Sequence, residues 1–150
     1  MEDASKSGYY EGILQMRGCT DEAVRFARDS INSAEGVQIT KEMNVRGGVD
    51  FFITSNKFLK KLGKMLKSRF TGIIKMTSKL HTEDKQSGKK VYRGTILFRM
   101  PSFSVGDVGM LNGDEVKILS IGDKVMLQDT KSGKKFRKNF DEVNKSFRLS

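Results

Sequence analysis

The segment Arg46–Phe70, RGGVDFFITSNKFLKKLGKMLKSRF, decides the fold: it spells a turn, a strand and a helix in succession. Arg46-Gly47-Gly48 supplies a tight reversal, because glycine takes positive φ without a steric penalty. Val49 to Thr54 is a β-branched and aromatic run of strand length. Ser55 and Asn56 are both good helix N-caps, and Gly72 ends the helix that follows. Phe58, Leu59, Leu62, Met65, Leu66 and Phe70 recur at helical spacing and form one apolar stripe. Lys57, Lys60, Lys61, Lys64, Lys67 and Arg69 occupy the remaining arc, with no carboxylate among them to compensate by i,i+4 pairing. A lysine-rich helix is often only a solvated face. Here the missing acids turn the reading toward a surface that meets phosphates.

Charge is distributed in the same sense. Of a net +10 over 150 residues, residues 37–101 hold 15 bases against 4 acids, whereas residues 1–36 hold 4 against 7 and residues 102–150 hold 9 against 7. An excess confined to the middle third is the footprint of one surface facing a polyanion. A single cysteine, Cys19, excludes an intrachain disulfide and any multi-cysteine zinc site within this chain, which suits a reducing cytoplasm. No apolar run approaches the roughly 18 residues of a membrane span, and no signal-peptide core is present. These features predict a cytoplasmic, monomeric protein with no membrane partner.

Working outward, Met1–Gly8 reads as a small polar leader. Tyr9–Arg17 alternates, with Tyr10, Gly12, Leu14 and Met16 on one face and Tyr9, Glu11, Ile13, Gln15 and Arg17 on the other, as a half-buried strand does. Thr20 caps a helix opened by Asp21 and Glu22, with Val24, Ala27, Ile31 and Ala34 as its stripe. Val37, Ile39, Met43 and Val45 mark a second strand. Beyond the basic helix, Ile74, Met76 and Leu80 alternate with Lys75, Thr77, Lys79 and His81. Thr82–Lys90 reads as a charged hairpin loop, and a return strand alternates Tyr92, Ile96, Phe98 and Met100 with Arg93, Thr95, Leu97 and Arg99.

The order β-α-β-β-α-β-β predicts an α+β two-layer sandwich over residues 1–101, both helices covering one face of a mostly antiparallel sheet. The uncovered face then collects Arg17, Gln15, Lys75, Thr77, Lys79, Arg93, Thr95 and Arg99, a basic platform suited to single strands or backbones. Tyr9 is the one clear aromatic on it, and the alternative is that this face packs on a neighbouring domain. Pro101, the sole proline, marks a boundary. Short strands then follow at Val105–Leu111, Glu115–Ile121, Lys124–Gln128, Lys135–Asn139 and Ser146–Leu149, separated by turns at Asn112-Gly113-Asp114, Gly122-Asp123 and Lys131-Ser132-Gly133. They predict a small β-barrel over residues 102–150, SH3-like or OB-like. Ser-Gly-Lys-Lys occurs at both 87–90 and 132–135, placing Lys89, Lys90, Lys134 and Lys135 at hairpin tips.

Catalytic patterns are missing. His81 and Cys19 are the only residues of their kinds and sit on different elements, and no Gly-x-Ser-x-Gly elbow, Walker-type loop or metal-ligand spacing occurs. Asp107, Asp114 and Asp129 lie by turns, where such residues accept from backbone amides. The reading is a non-enzyme with no cofactor.

Tyr9–Gly18, YYEGILQMRG, resembles the opening that follows the zinc module in the nonsense-mediated mRNA decay protein three family, the large-ribosomal-subunit export adaptors, especially its archaeal members. Gly47-Gly48-Val49-Asp50-Phe51-Phe52, the basic helix, Arg93–Pro101 and Val105-Gly106-Asp107-Val108 are similar to later segments of that family in the same order, so the resemblance spans about residues 9 to 135. It implies a ribosome-binding factor acting on the large subunit during its maturation, with a ribosomal-protein-like α+β domain followed by β-barrel domains. The family's Cys-x-x-Cys pairs do not occur in this sequence, which reads as a fragment or a shortened relative, so nothing attributed to zinc carries over.

The partners expected are the large subunit and its rRNA, with ribosomal proteins as further contacts. Lys57, Lys60, Lys61, Lys64, Lys67 and Arg69 on the helix carry the binding first. Lys75, Lys79, Arg93 and Arg99 on the sheet come second, and the loop-tip Lys89, Lys90, Lys134 and Lys135 third. The alternative is a protein-interaction module whose basic surface docks an acidic protein, such as a ribosomal stalk protein.

Overall fold

A computed structural model describes residues 8–83, 88 and 90–150. The polar leader before Gly8 and the tip of the Thr82–Lys90 loop, Lys89 included, lie outside the described residues. The chain divides into two compact units, one comprising the residues up to Phe70 together with Ile74–Met100, the other Thr71–Ile73 with Pro101–Ser150.

In the first unit the order is β1 (Gly12–Arg17), α1 (Asp21–Ser33), β2 (Ile39–Val45), β3 (Gly48–Ile53), α2 (Asn56–Arg69), β4 (Ile73–Glu83) and β5 (Lys90–Arg99). The strands form one sheet in the order β2-β3-β1-β5-β4. β3 is antiparallel to both β1 and β2, and β1 runs parallel to β5 at the centre. Local chemistry starts each helix where the sequence puts it. Thr20 Oγ1 accepts from Ala23 N at 3.2 Å, and Ser55 Oγ accepts from Phe58 N at 3.0 Å. The Arg46-Gly47 reversal has Gly47 at φ 81°, and its carbonyl accepts from Gly18 N at 3.0 Å, tying the hairpin to the end of β1.

Leu14, Met16, Val49, Phe51, Ile53, Ile96 and Phe98 point to one face of the sheet. Ala23, Ala27 and Ile31 of α1 and Leu59, Leu62 and Leu66 of α2 close over them. Glycines set how near α2 comes. A Cβ at Gly12 would lie 2.9 Å from Leu59, and one at Gly94 would lie 2.2 Å from Asn56 Oδ1. The strands outrun this cover. Met76, Leu80 and Tyr92, expected on the core face, are 55%, 51% and 46% exposed. Met76 and Leu80 lie on β4, the edge strand, and the strands are also longer than their cover: a 14-residue helix spans about 21 Å, whereas an 11-residue strand spans about 36 Å.

The second unit contains β6 (Val108–Leu111), β7 (Asp114–Ser120), β8 (Lys124–Asp129), β9 (Lys135–Asn139), α3 (Phe140–Ser146) and β10 (Arg148–Leu149). Its sheet runs β10-β6-β7-β8-β9, all antiparallel, with β10 and β9 at its two edges, and among the described residues no ladder closes them into the expected barrel. Asn112 and Gly113, at φ 52° and 89°, make the two-residue β6–β7 turn. Asp129 Oδ1 accepts from Lys131 N at 2.8 Å and Ser132 N at 3.0 Å, and Asp107 Oδ2 from Ser104 N at 2.8 Å, the turn-bracing role expected of them. Helix α3 was not expected. It buries Phe140 and Val143 against Phe103, Val116, Ile118, Val125 and Leu127.

Candidate nucleic-acid interface

Helix α2 presents its charge as the stripe requires. Leu59, Leu62, Gly63 and Leu66 are buried, while Lys57, Lys60, Lys61, Lys64 and Lys67 are all exposed. At 100° per residue those five lysines fall within an arc of about 120°, turned away from the sheet. Among the described residues none of the five makes an ion pair. Arg69 lies off this arc. Its guanidinium sits 4.7 Å from the centre of the Phe26 ring of α1, where it packs the two helices together.

The open face of the sheet lies on the opposite side of the unit. Its strand registers align three rows: Lys41, Phe52, Ile13 and Thr95; then Met43, Asp50, Gln15 and Leu97; then Val45, Gly48, Arg17 and Arg99. Lys75, Thr77 and Lys79 are exposed on β4, and a groove brings Thr77 and Lys79 together with Ile13, Gln15, Arg93 and Thr95. Arg17 is committed within the face. It donates to Asp50 Oδ1 at 2.7 Å and to Met16 O at 2.9 Å. Arg99 is half-buried, and its Nε has no hydrogen-bond partner among the described residues.

The aromatic ring of this face is Tyr10 rather than Tyr9. The chain bends at Glu11, whose N–H donates to Ile53 O and whose carbonyl accepts from Gly94 N, both at 2.9 Å. That bend breaks the alternation expected from residue 9 onward and turns Tyr10 to the open side. There its ring meets Phe52 edge-on at 5.0 Å, and the Arg93 guanidinium covers it at 4.0 Å. Lys41 Nζ stands 5.8 Å from the Phe52 ring centre. Tyr9 instead donates its hydroxyl to Glu11 Oε2 at 2.7 Å, and that bond holds the phenol pKa above its usual value.

The sequence candidates therefore occupy separate places. The α2 lysines share one arc, and Lys79 and Arg93 share the sheet groove on the other side. Lys134 and Lys135 are exposed at the β8–β9 turn of the second unit, beside Gly133 at φ 74°. The backbone of Lys90 opens β5. Tyr10 and Phe52 were missed as a pair, although the Tyr-Tyr doublet at 9–10 was the available signal. Burial pushes the Cys19 thiol pKa up, which keeps it protonated and a poor nucleophile. Among the described residues no group of His, Cys, Asp or Glu side chains is disposed to hold a metal ion, and no helix is long and apolar enough to cross a membrane.

Comparison with known proteins bears on residues 9–100, which match the family model described as "NMD3, second domain". No curated protein matches the chain.

Proposed function

The chain belongs to the NMD3 family, and from that premise we propose that its first unit grips the ribosomal RNA of the large subunit during maturation, chiefly through the α2 lysine arc. Proteins of this family associate with the large ribosomal subunit, and the family is one of adaptors rather than enzymes. One observation carries the proposal: five exposed lysines on a single arc, with no acid on the helix and no ion pair among the described residues. A solvated structural helix gains nothing from such an array, since like charges three and four residues apart repel. A phosphate backbone supplies the missing counter-charge and releases its own condensed ions on contact. In this reading residues 1–101 are the RNA-binding domain of a cytoplasmic factor, and residues 102–150, with Lys134 and Lys135 at a turn, add a second contact.

The test is co-sedimentation with purified large subunits and binding to naked large-subunit rRNA. A Lys57→Gln/Lys61→Gln/Lys64→Gln variant is expected to weaken both, through loss of the duplex contacts. A Lys117→Gln/Lys131→Gln/Lys145→Gln variant of the second unit is expected to keep both. Lys124 and Lys138 are poor controls, since one is bonded to Asn139 and the other lies 3.8 Å from Glu142. Undiminished subunit and rRNA binding by the α2 variant would overturn the proposal. Subunit binding without any affinity for naked rRNA would point instead to an acidic protein as the partner.

A further inference from the structure

We propose that the open sheet face of the first unit is a second RNA site, selective for single strands, in which unpaired bases stack beside the Tyr10 ring. This rests on the ribosomal-RNA reading for its class of ligand, but it concerns the side of the unit opposite the α2 arc.

The Tyr10 ring stands as a ridge between two grooves. One holds Gln15, Lys79 and Arg93, and the other holds Lys41 and Phe52. The ridge is a π surface in which the Arg93 guanidinium lies 4.0 Å from the Tyr10 ring centre and the Phe52 ring stands at right angles to Tyr10, their centres 5.0 Å apart. Aromatic faces and guanidinium planes both accept a stacked base, and neither demands a particular one. Each groove also has its own cation. Among the described residues neither Lys41 nor Lys79 makes an ion pair, and Asp50, the acid in the aligned rows of this face, is held by Arg17. A phosphate on either side of the ridge therefore meets positive charge, and no carboxylate is among the described residues that line the two grooves. The Gln15 amide, in the row beside Ile13 on β1, offers both a donor and an acceptor to a base edge. A duplex keeps its bases inside and cannot use the ridge, whereas a splayed strand can.

The experiment uses the full chain and two fluorescent probes, a ten-nucleotide oligouridine and an RNA hairpin duplex, with anisotropy as the readout. Tyr10→Ala is expected to weaken single-strand binding about tenfold while leaving the duplex affinity unchanged, and Tyr10→Trp is expected to restore it. Lys41→Gln/Lys79→Gln, both surface changes, should lower the salt slope for the single strand alone. The α2 variant should show the reverse pattern, losing the duplex and keeping the oligouridine. Loss of duplex binding in the Tyr10 variants, or an oligouridine affinity indifferent to Tyr10→Ala and to the double lysine change, overturns the proposal. So does a parent protein that binds the duplex but no single strand, which would assign this face to a protein partner. If the α2 variant keeps the duplex while Tyr10→Ala loses oligouridine, the arc reading fails and the sheet site stands.

Discussion

Arg17 and Asp50 meet at 2.7 Å across β1 and β3, the arginine two residues along from Gln15, which is the aspartate's partner in register. This contact settles the charge character of the open face. Asp50 is 9% exposed, and it holds Arg17 where the arginine also donates to Met16 O. The pair cancels within the sheet. Among the described residues, Lys41, Arg93 and Lys79 line the grooves on this face.

Breaking that pair should cost stability rather than binding. Asp50→Asn leaves a half-buried guanidinium facing a neutral amide, and an expected loss of about 1–3 kcal/mol follows from an unsatisfied charged partner at partial exposure. A double variant with Arg17→Met should cost less than the sum of the two single changes. Urea unfolding of the four proteins measures the coupling. Additive losses would mean that the contact contributes nothing of its own.

Gly48 has a role no side chain can fill. A Cβ there would lie 1.8 Å from Met16 O, a backbone atom that cannot turn aside. Gly48→Ala should therefore push β3 off β1 and cost more than about 2 kcal/mol, in the range of overpacking within a core. Gly94→Ala is the comparison, because the atom it meets belongs to the Asn56 side chain, which can rotate. A smaller loss at Gly94 than at Gly48, read from thermal midpoints, is the expected order.

Arg28 holds the Glu42 carboxyl below its ordinary value of 4.5, through hydrogen bonds at 2.9 Å to each oxygen. A carboxylate whose pKa is lower folded than unfolded stabilises the protein above the unfolded value and loses that contribution as pH falls through the folded one. The pair is about one-third exposed, so its worth is roughly 0.5 kcal/mol. Glu42→Gln should be less stable than the parent at neutral pH, and the two should converge in strong acid, once the pH is below the lowered pKa of Glu42. An unchanged difference in strong acid would assign the loss to packing.

Much of the first unit was legible because each signal was local. Ser55 capped, the Leu59/Leu62/Leu66 stripe faced inward, and Arg46-Gly47 turned, each from residues within a few positions of one another. The failures have other causes. Tyr10 changed sides because Glu11 bonds to Ile53 and Gly94, partners remote in sequence. Arg69 falls about 80° outside the lysine arc by helical period alone, and its guanidinium packs on Phe26 of another helix. Helix α3 is only 7 residues long, too short to repeat a stripe, so Asp141 and Glu142 in its first turn were its main sign. Met76, Leu80 and Tyr92 alternate as core residues do, but period reports a face and says nothing of whether a helix reaches far enough to cover it.

The salt dependence of duplex binding measures how many α2 lysines meet phosphates. With about five phosphates neutralised, log K for a duplex should fall against log salt with a slope of about −4 to −5. Each single lysine-to-glutamine change on the arc should reduce that slope by about one unit. Stability should barely respond, because a surface substitution away from caps and core usually lies within about 0.5 kcal/mol, and removing like charges three or four residues apart relieves repulsion. Arg69→Gln should behave in the opposite way, leaving the slope intact while lowering the melting temperature, since its guanidinium covers Phe26 at 4.7 Å. Isothermal titrations over a salt series, paired with thermal melts of the same variants, separate the two behaviours. A slope that stays at the parent value for Lys57→Gln, Lys61→Gln and Lys64→Gln alike would make the arc a solvated face, and the duplex contact would have to be sought among the sheet and turn cations instead.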